Sequence, residues 1–247
     1  TLPALIADWS TVCEKFFNGS NSNTNEPGLA ESDSILLPEL VMIPEGYFLM
    51  CNSENSKDIV NSQKYLSPYL IGRYEISNRQ YKKFLDEDTL CFPPTIWKNN
   101  NFSTLDQPVV GINWYEANKY CEWLSKKTGK KYSLPSEQQW VKAARGTTDY
   151  LYPWGNTPPN RDKANFNNRY GAPDVIISHQ SGRNPEYRTQ NMAGNVAEWC
   201  NDEIYNDVIV KGGSFEDDPI YLKIYFQRKV VKTNRIKSIG FRVVCLP

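Results

Sequence analysis

"INWYEANKYCEWLSKKTGKKYSLPSEQQWVKAARG", residues 112–146, contains two helix starts of the same chemical type. Asn113 and Ser136 can each accept a hydrogen bond from a first-turn backbone N–H. Glu116 and Gln139, three residues on, can reach back to the capping residue's own N–H. Ala117, Tyr120, Cys121 and Leu124 follow at helical spacing; Lys126 and Lys127 suit the negative end, and Gly129 is a natural stop. The second helix carries Trp140, Ala143 and Ala144 and stops at Gly146. The device also occurs upstream in "RYEISNRQYKKFL", 73–85. There Ser77 and Gln80 form the box and Tyr81, Phe84 and Leu85 the apolar face. Extended segments, such as "YLIGRYEI" (69–76), precede these helices. After Gly146 the chain turns rich in Gly, Pro, Asn and aromatics, as in "LYPWGNTPPN" (151–160), which predicts loops and short strands over 147–247. The expectation is an α+β domain with much irregular backbone. Such loops must be pinned by aromatics, buried polar bonds or an ion.

Upstream, "ELVMIPEGYFLM" (39–50) reads as two strands around Pro44 and Gly46. Residues 18–35 are nearly devoid of apolar side chains and read as a linker or mobile loop. Residues 1–17 place Leu2, Leu5, Ile6, Trp9, Val12, Cys13 and Phe16 at helical spacing, an amphipathic helix expected to pack on its own domain. The main domain is therefore 36–247. Lys plus Arg number 28 and so do Asp plus Glu, a balance that gives no steering toward nucleic acid. No apolar run approaches the roughly 18–20 residues a spanning helix needs, and no signal peptide is visible. A leader or anchor before Thr1 remains compatible with this. None of the six cysteines forms a C-x-x-C pair, so most are read as buried thiols, with one or two disulfides left open. The one histidine, His179, reads as a loop residue and leaves no imidazole pair for a metal or a hydrolase triad.

"VMIPEGYFLM", "YEISNRQYKKFL", the 107–146 stretch, "YPWGN", "NMAGNVAEW", "KGGSF" and "IGFRVV" follow one another in order. This succession resembles the formylglycine-generating-enzyme (sulfatase-modifying factor) family over about 39–245. The resemblance implies a variant of the C-type lectin fold. The family's oxidases bind copper through a cysteine pair between GGS and GFR. Segment 212–244 contains no cysteine, and counting from Ser214 puts Leu222 and Gln227 at the two positions. No copper is expected, because neither side chain is a soft ligand. The related sulfoxide synthases need several histidines. The resemblance therefore implies a domain without the family's chemistry.

In the family "N-x-x-G-N-x-x-E-W" wraps a calcium ion. Transferred here, the Asn191 and Glu198 side chains and the Gly194 and Val196 carbonyls would hold a structural Ca2+. The alternative is a plain turn, with Asn195 in left-handed backbone and Glu198 bonded to backbone N–H groups. The family's second ion site, after Ala164-Asn165, is not expected, because 167–175 departs from its acidic pattern.

Segment 215–239 mixes aromatics with charge in a way that suits neither a buried nor a solvated strand. It reads as a contact surface in which Asp217, Asp218, Ile220, Tyr221, Lys223, Tyr225, Phe226, Gln227 and Lys229 meet a protein or other large ligand. The resemblance extends to the variable proteins of diversity-generating retroelements, whose randomised positions lie between GGS-like and GFR-like anchors. That implies a monomeric binder at the cell surface or in an extracytoplasmic compartment. Two other readings stand beside it: a regulatory domain of a larger, kinase-like chain, and a divergent enzyme using Asp217 or Asp218 as general acid. A sheet edge covered by residues 1–17 is the structural alternative for the segment.

Overall fold

The computed structural model describes residues 37–50, 63–88 and 90–246. The expected helix at 1–17 and linker at 18–35 lie outside the described residues. Ten strands and three α-helices are present among those described. They are β1 (Leu40–Ile43), β2 (Gly46–Leu49), β3 (Gln63–Leu66), β4 (Tyr69–Gly72), α1 (Asn78–Glu87), α2 (Trp114–Thr128), β5 (Lys131–Ser133) and α3 (Glu137–Arg145). After these come β6 (Ala197–Ile204), β7 (Asp207–Lys211), β8 (Gln227–Val231), β9 (Ile239–Gly240) and β10 (Val244–Leu246).

All three capping boxes form. Ser77, Asn113 and Ser136 each accept from the third helical N–H, and Gln80, Glu116 and Gln139 each return to the cap N–H. Gly129 closes α2 in left-handed backbone (φ 68°), its N–H on the Ser125 carbonyl.

The two strands expected over 39–50 exist, but the Pro44–Glu45 corner sends them to different sheets. β1 joins the sheet β1-β4-β10-β5, whereas β2 pairs with β3 as a ribbon. Because β4 lies between β1 and β10, the two ends of the domain are knitted into one antiparallel sheet. The second sheet runs β8-β7-β6-β9, with β9 parallel to β6.

Alternation along the strands divides the interior into two cores. In β7, Val208 and Val210 face one core while Ile209 faces the other. Leu70 and Ile71 of β4 split the same way, as the two-residue period of a strand requires. The first core holds α1 and α2, whose Tyr81 and Tyr120 rings stack at 5.9 Å and receive the Phe241 edge. The second core holds α3 through Trp140, Val141, Ala143 and Ala144. Cys121, Cys200 and Cys245 are free buried thiols, and Cys91 is free and half-buried. Burial pushes all four up, so they stay protonated and inert.

Since α3 supports both the second core and the loops that follow it, its cap should matter. Replacing the hydroxyl in Ser136→Ala should cost about 1 kcal/mol of unfolding free energy in urea. An unchanged value would show the cap idle.

Candidate functional site

The chain leaves β7 through Gly212-Gly213 at φ 92° and 66°. A Cβ on Gly213 would lie 2.7 Å from the Tyr221 carbonyl oxygen, so this glycine is what lets residues 221–222 fold back over the turn. Ser214 is buried. Its N–H and hydroxyl both donate to Asp217 Oδ2, at 2.8 and 2.6 Å. Arg228 completes the pin, its Nη1 and Nη2 each 3.0 Å from the two Asp217 oxygens. Asp217 is thus spent on the scaffold, and its expected role as a ligand-facing or general-acid carboxylate is corrected by that fork.

Beyond Asp217 the segment is not a strand. Pro219–Leu222 is a 3-10 turn, and strand pairing resumes only at Gln227. Leu222 and Ile224 are fully buried, Leu222 among Tyr152, Ala164 and Ala193. Backbone bonds fix the rest: Asn167 N–H to the Asp217 carbonyl (2.9 Å), Asn168 N–H to that of Phe215 (2.5 Å), and Ile224 N–H to that of Leu151 (2.8 Å). What remains outside is Asp218, Ile220 (52% exposed), Tyr221 (39%) and Lys229, with Lys223, Tyr225, Phe226 and Gln227 half-buried. The Tyr221 and Phe226 rings pack at 4.8 Å, and Lys223 Nζ lies 5.5 Å over the Tyr225 ring. Eight of the nine nominated residues are thus exposed or half-buried, while Asp217 is engaged by Ser214 and Arg228. Gln227 brings an enclosed Oε1 that meets no donor among the described residues.

Two neighbours of this surface were not nominated. Tyr152 and Trp154, in the "YPWGN" stretch, stack at 5.3 Å with planes 1° apart. Trp154 packs against the cluster that encloses Leu222. Two aromatics two residues apart in a Gly/Pro loop were the available signal.

The 191–199 motif forms a different site from the one expected. Asn191, Gly194 and Asn195 all adopt positive φ, as the turn alternative required of Asn195. A Cβ on Gly194 would sit 2.4 Å from the Asn165 carbonyl oxygen, so the loop closes only with glycine there. Glu198 is fully buried and belongs to Arg242. The guanidinium places Nε on Oε2 and Nη2 on Oε1, each at 2.7 Å, and Trp140 Nε1 donates to Oε2 at 2.8 Å. The Asn191 amide donates to Glu75 (3.1 Å) and to the Ile176 carbonyl (2.9 Å).

The residues therefore do not fit the expected calcium ion. The only carboxylate of the set is neutralised by a guanidinium, and both of its oxygens already accept from nitrogen. Glu198 also departs from the turn alternative, since its partners are side chains and not backbone N–H groups.

Glu75 is a second buried carboxylate beside this pair, accepting from Asn195 (2.8 Å) as well as Asn191. Desolvation raises its pKa, with Arg242 opposing and Glu198 adding to the rise, to about 7.

Residues 26–246 match the family described as sulfatase-modifying factor enzyme 1-like domain. Among curated relatives, the uncharacterised YfmG of Bacillus subtilis is 27% identical over 83% of this chain and 54% of its own. The formylglycine-generating enzyme of Thermomonospora curvata is 29% identical over 66% of this chain and 71% of its own. Serine/threonine-protein kinase pkn1 of Chlamydia caviae is 28% identical over 68% of this chain and 28% of its own. The chain thus spans about half of YfmG and little more than a quarter of the kinase. Among solved structures, PvdO from Pseudomonas aeruginosa superposes with TM-score 0.71 at 21% identity, covering 91% of this chain and 100% of that one. Treponema denticola variable protein 1 superposes with TM-score 0.67 at 20% identity, covering 84% and 95%. These likenesses establish the fold, a formylglycine-generating-enzyme-type, C-type-lectin-like α+β domain.

Two outcomes follow. The melting temperature should be the same in EDTA and in millimolar calcium, and a drop on chelation would restore an ion to this loop. Glu75 binds its proton more tightly in the folded chain than in the unfolded one. Its stabilising contribution is therefore complete below the ordinary carboxylate pKa of about 4.3 and is lost as pH rises through about 7. Urea unfolding free energy should fall between pH 5 and 8, and Glu75→Gln should flatten that fall. A profile that the substitution leaves unchanged would contradict the assignment.

Proposed function

The chain belongs to the sulfatase-modifying factor enzyme 1-like domain family, and we propose that within it this chain is a non-catalytic binding domain. The surface formed by Asp218, Ile220, Tyr221, Lys223, Tyr225, Phe226, Gln227 and Lys229 meets a protein or another large ligand. One observation carries this reading. Large apolar and aromatic side chains stand exposed on a segment whose ends are tied together by Asp217–Arg228 and whose middle is anchored by the buried Leu222 and Ile224. Core packing does not require Ile220 or Tyr221 to be apolar. Rigidly held aromatics ringed by flexible charged groups are what a protein-binding surface uses, because little side-chain entropy is lost on contact.

The chemistry of the family's oxidases has no counterpart in this reading. Segment 212–244 contains no cysteine to hold copper or to exchange with a substrate thiol. The fold shared with Treponema denticola variable protein 1 is compatible with a retroelement-diversified binder displayed at the cell surface. No helix among the described residues is long and apolar enough to cross a membrane. A second reading, a regulatory domain within a longer kinase-like chain, is favoured by the match to pkn1 over only 28% of the kinase.

The test is a saturation mutagenesis scan of 212–240 on the displayed full chain, scored for folded display. Asp218, Ile220, Tyr221, Lys223 and Lys229 should accept nearly any residue. Gly213, Ser214, Asp217, Leu222, Ile224 and Arg228 should not. Uniform intolerance across the segment would make it a structural part of the domain and end the binding reading. In a copper-loaded oxygen-consumption assay with a cysteine peptide, the chain should be silent, and turnover would overturn the non-catalytic assignment.

A further inference from the structure

Apart from the 215–229 surface, a cavity of about 530 Å3 is lined by Trp154, Gln180, Ser181, Arg183, Pro185 and Arg188. Its lining holds two guanidinium groups and no carboxylate. Neither Arg183 nor Arg188 has a side-chain hydrogen bond or ion pair among the described residues, and the same holds for the Gln180 and Ser181 side chains. A third arginine, Arg73, borders the cavity with its charge already paired to Glu39 at 2.6 Å. Arg73 Nη1 donates to the Arg188 carbonyl at 3.4 Å, and Arg73 and Arg183 both act on the Tyr74 phenol. Glu186, in the same loop, is engaged by the Thr147 N–H at 2.9 Å.

The backbone that carries these side chains is held in place. Asn184 donates to the Ala144 carbonyl of α3 (3.0 Å) and accepts from the Glu186 and Tyr187 N–H groups (2.9 and 2.7 Å). Thr189 donates to the Ala143 carbonyl at 2.8 Å. These bonds hold Arg188 at φ 61°, a left-handed conformation that a non-glycine residue adopts only under constraint. On the other wall, a Cβ at Gly182 would lie 1.8 Å from the Lys163 carbonyl oxygen, so the 180–182 turn is seated directly on that backbone. Trp154 is fixed by its Nε1 bond to the Thr157 carbonyl (3.0 Å) and by the Tyr152 stack.

We propose that this cavity binds a phosphate monoester carried on a ring-sized organic group. Two uncommitted guanidinium forks match the several terminal oxygens and near-double charge of such a phosphate. Gln180 and Ser181 supply neutral donors. Trp154, whose ring already carries the Tyr152 stack and has Lys163 Nζ at 5.7 Å over it, lines the cavity beside Pro185 and offers the organic part its apolar contact, and the volume falls within the range of small-molecule sites, roughly 300–1,000 Å3. The site uses no residue of 215–229 and stands independently of the function proposed above.

The probe is phenyl phosphate, titrated calorimetrically into the full 247-residue chain at low ionic strength, with inorganic phosphate and benzyl alcohol in parallel. Phenyl phosphate should bind at one site at least about tenfold more tightly than inorganic phosphate, and benzyl alcohol should give no heat. Arg183→Gln and Arg188→Gln should each weaken phenyl phosphate about tenfold or more, with unchanged melting temperature. Arg183→Lys, which keeps the charge and loses the fork, should fall between. Tyr221→Ser should leave the affinity unchanged. No binding at millimolar probe, equal affinity for inorganic phosphate, or full affinity in both glutamine variants would overturn the assignment.

Discussion

The guanidinium of Arg242 has five N–H bonds, and the protein uses all of them. Two go to Glu198, two to the Gly72 and Arg73 carbonyls at the end of β4 (2.9 and 3.0 Å), and one to the Gln190 carbonyl (2.8 Å). One side chain near the C-terminal end thereby joins β6, the exit of β4, the 190–195 loop and, through Glu198, Trp140 of α3. A fully buried ion pair of this kind compensates its desolvation only when every donor and acceptor is met. Removing one partner would strand a charge in the interior. Glu75 stands close enough to feel both charges, which makes this the electrostatic centre of the domain as well as its mechanical one.

Everything displayed at the surface hangs from that centre. In the 190–195 loop the Gly194 N–H donates to the Gly212 carbonyl (2.9 Å), and the Asn195 carbonyl accepts from the Phe215 N–H (2.8 Å). The GGS turn is therefore placed by the same loop that Arg242 and Glu75 hold. From there Asp217–Arg228 fixes the start of the exposed segment, and Leu222 and Ile224 fix its middle. Between these pins Ile220 and Tyr221 stand exposed, the condition under which a surface can be specialised, or varied, without loss of the fold.

The helices were legible because capping is local. Each box lies within four consecutive residues, so Ser77, Asn113 and Ser136 announced themselves. The 191–199 motif was legible as a loop but not in its chemistry. The partner of Glu198 lies 44 residues away, and nothing in the spacing shows that a guanidinium fills the place expected for an ion. Asp217 and Asp218 looked alike as neighbours in a polar run. Only the return of β8 beside β7 brings Arg228 against one of them. Likewise β1 and β2 were readable as strands, while their separation into two sheets depends on strand partners distant in the chain. Arg183 and Arg188 carried no sequence signal, because their meeting in one lining with Trp154 depends on how the loops fold together.

The central claim is that one fully bonded guanidinium couples the sheet, the loop and the display turn. Amide hydrogen exchange of the intact chain against Arg242→Met tests it most directly. Coupling predicts that protection falls together in β4, β6, β10 and residues 190–196, while the interior of α2 keeps a greater share of its protection. Loss confined to the few residues around position 242, with β4 and the 190–196 loop as protected as before, would contradict it.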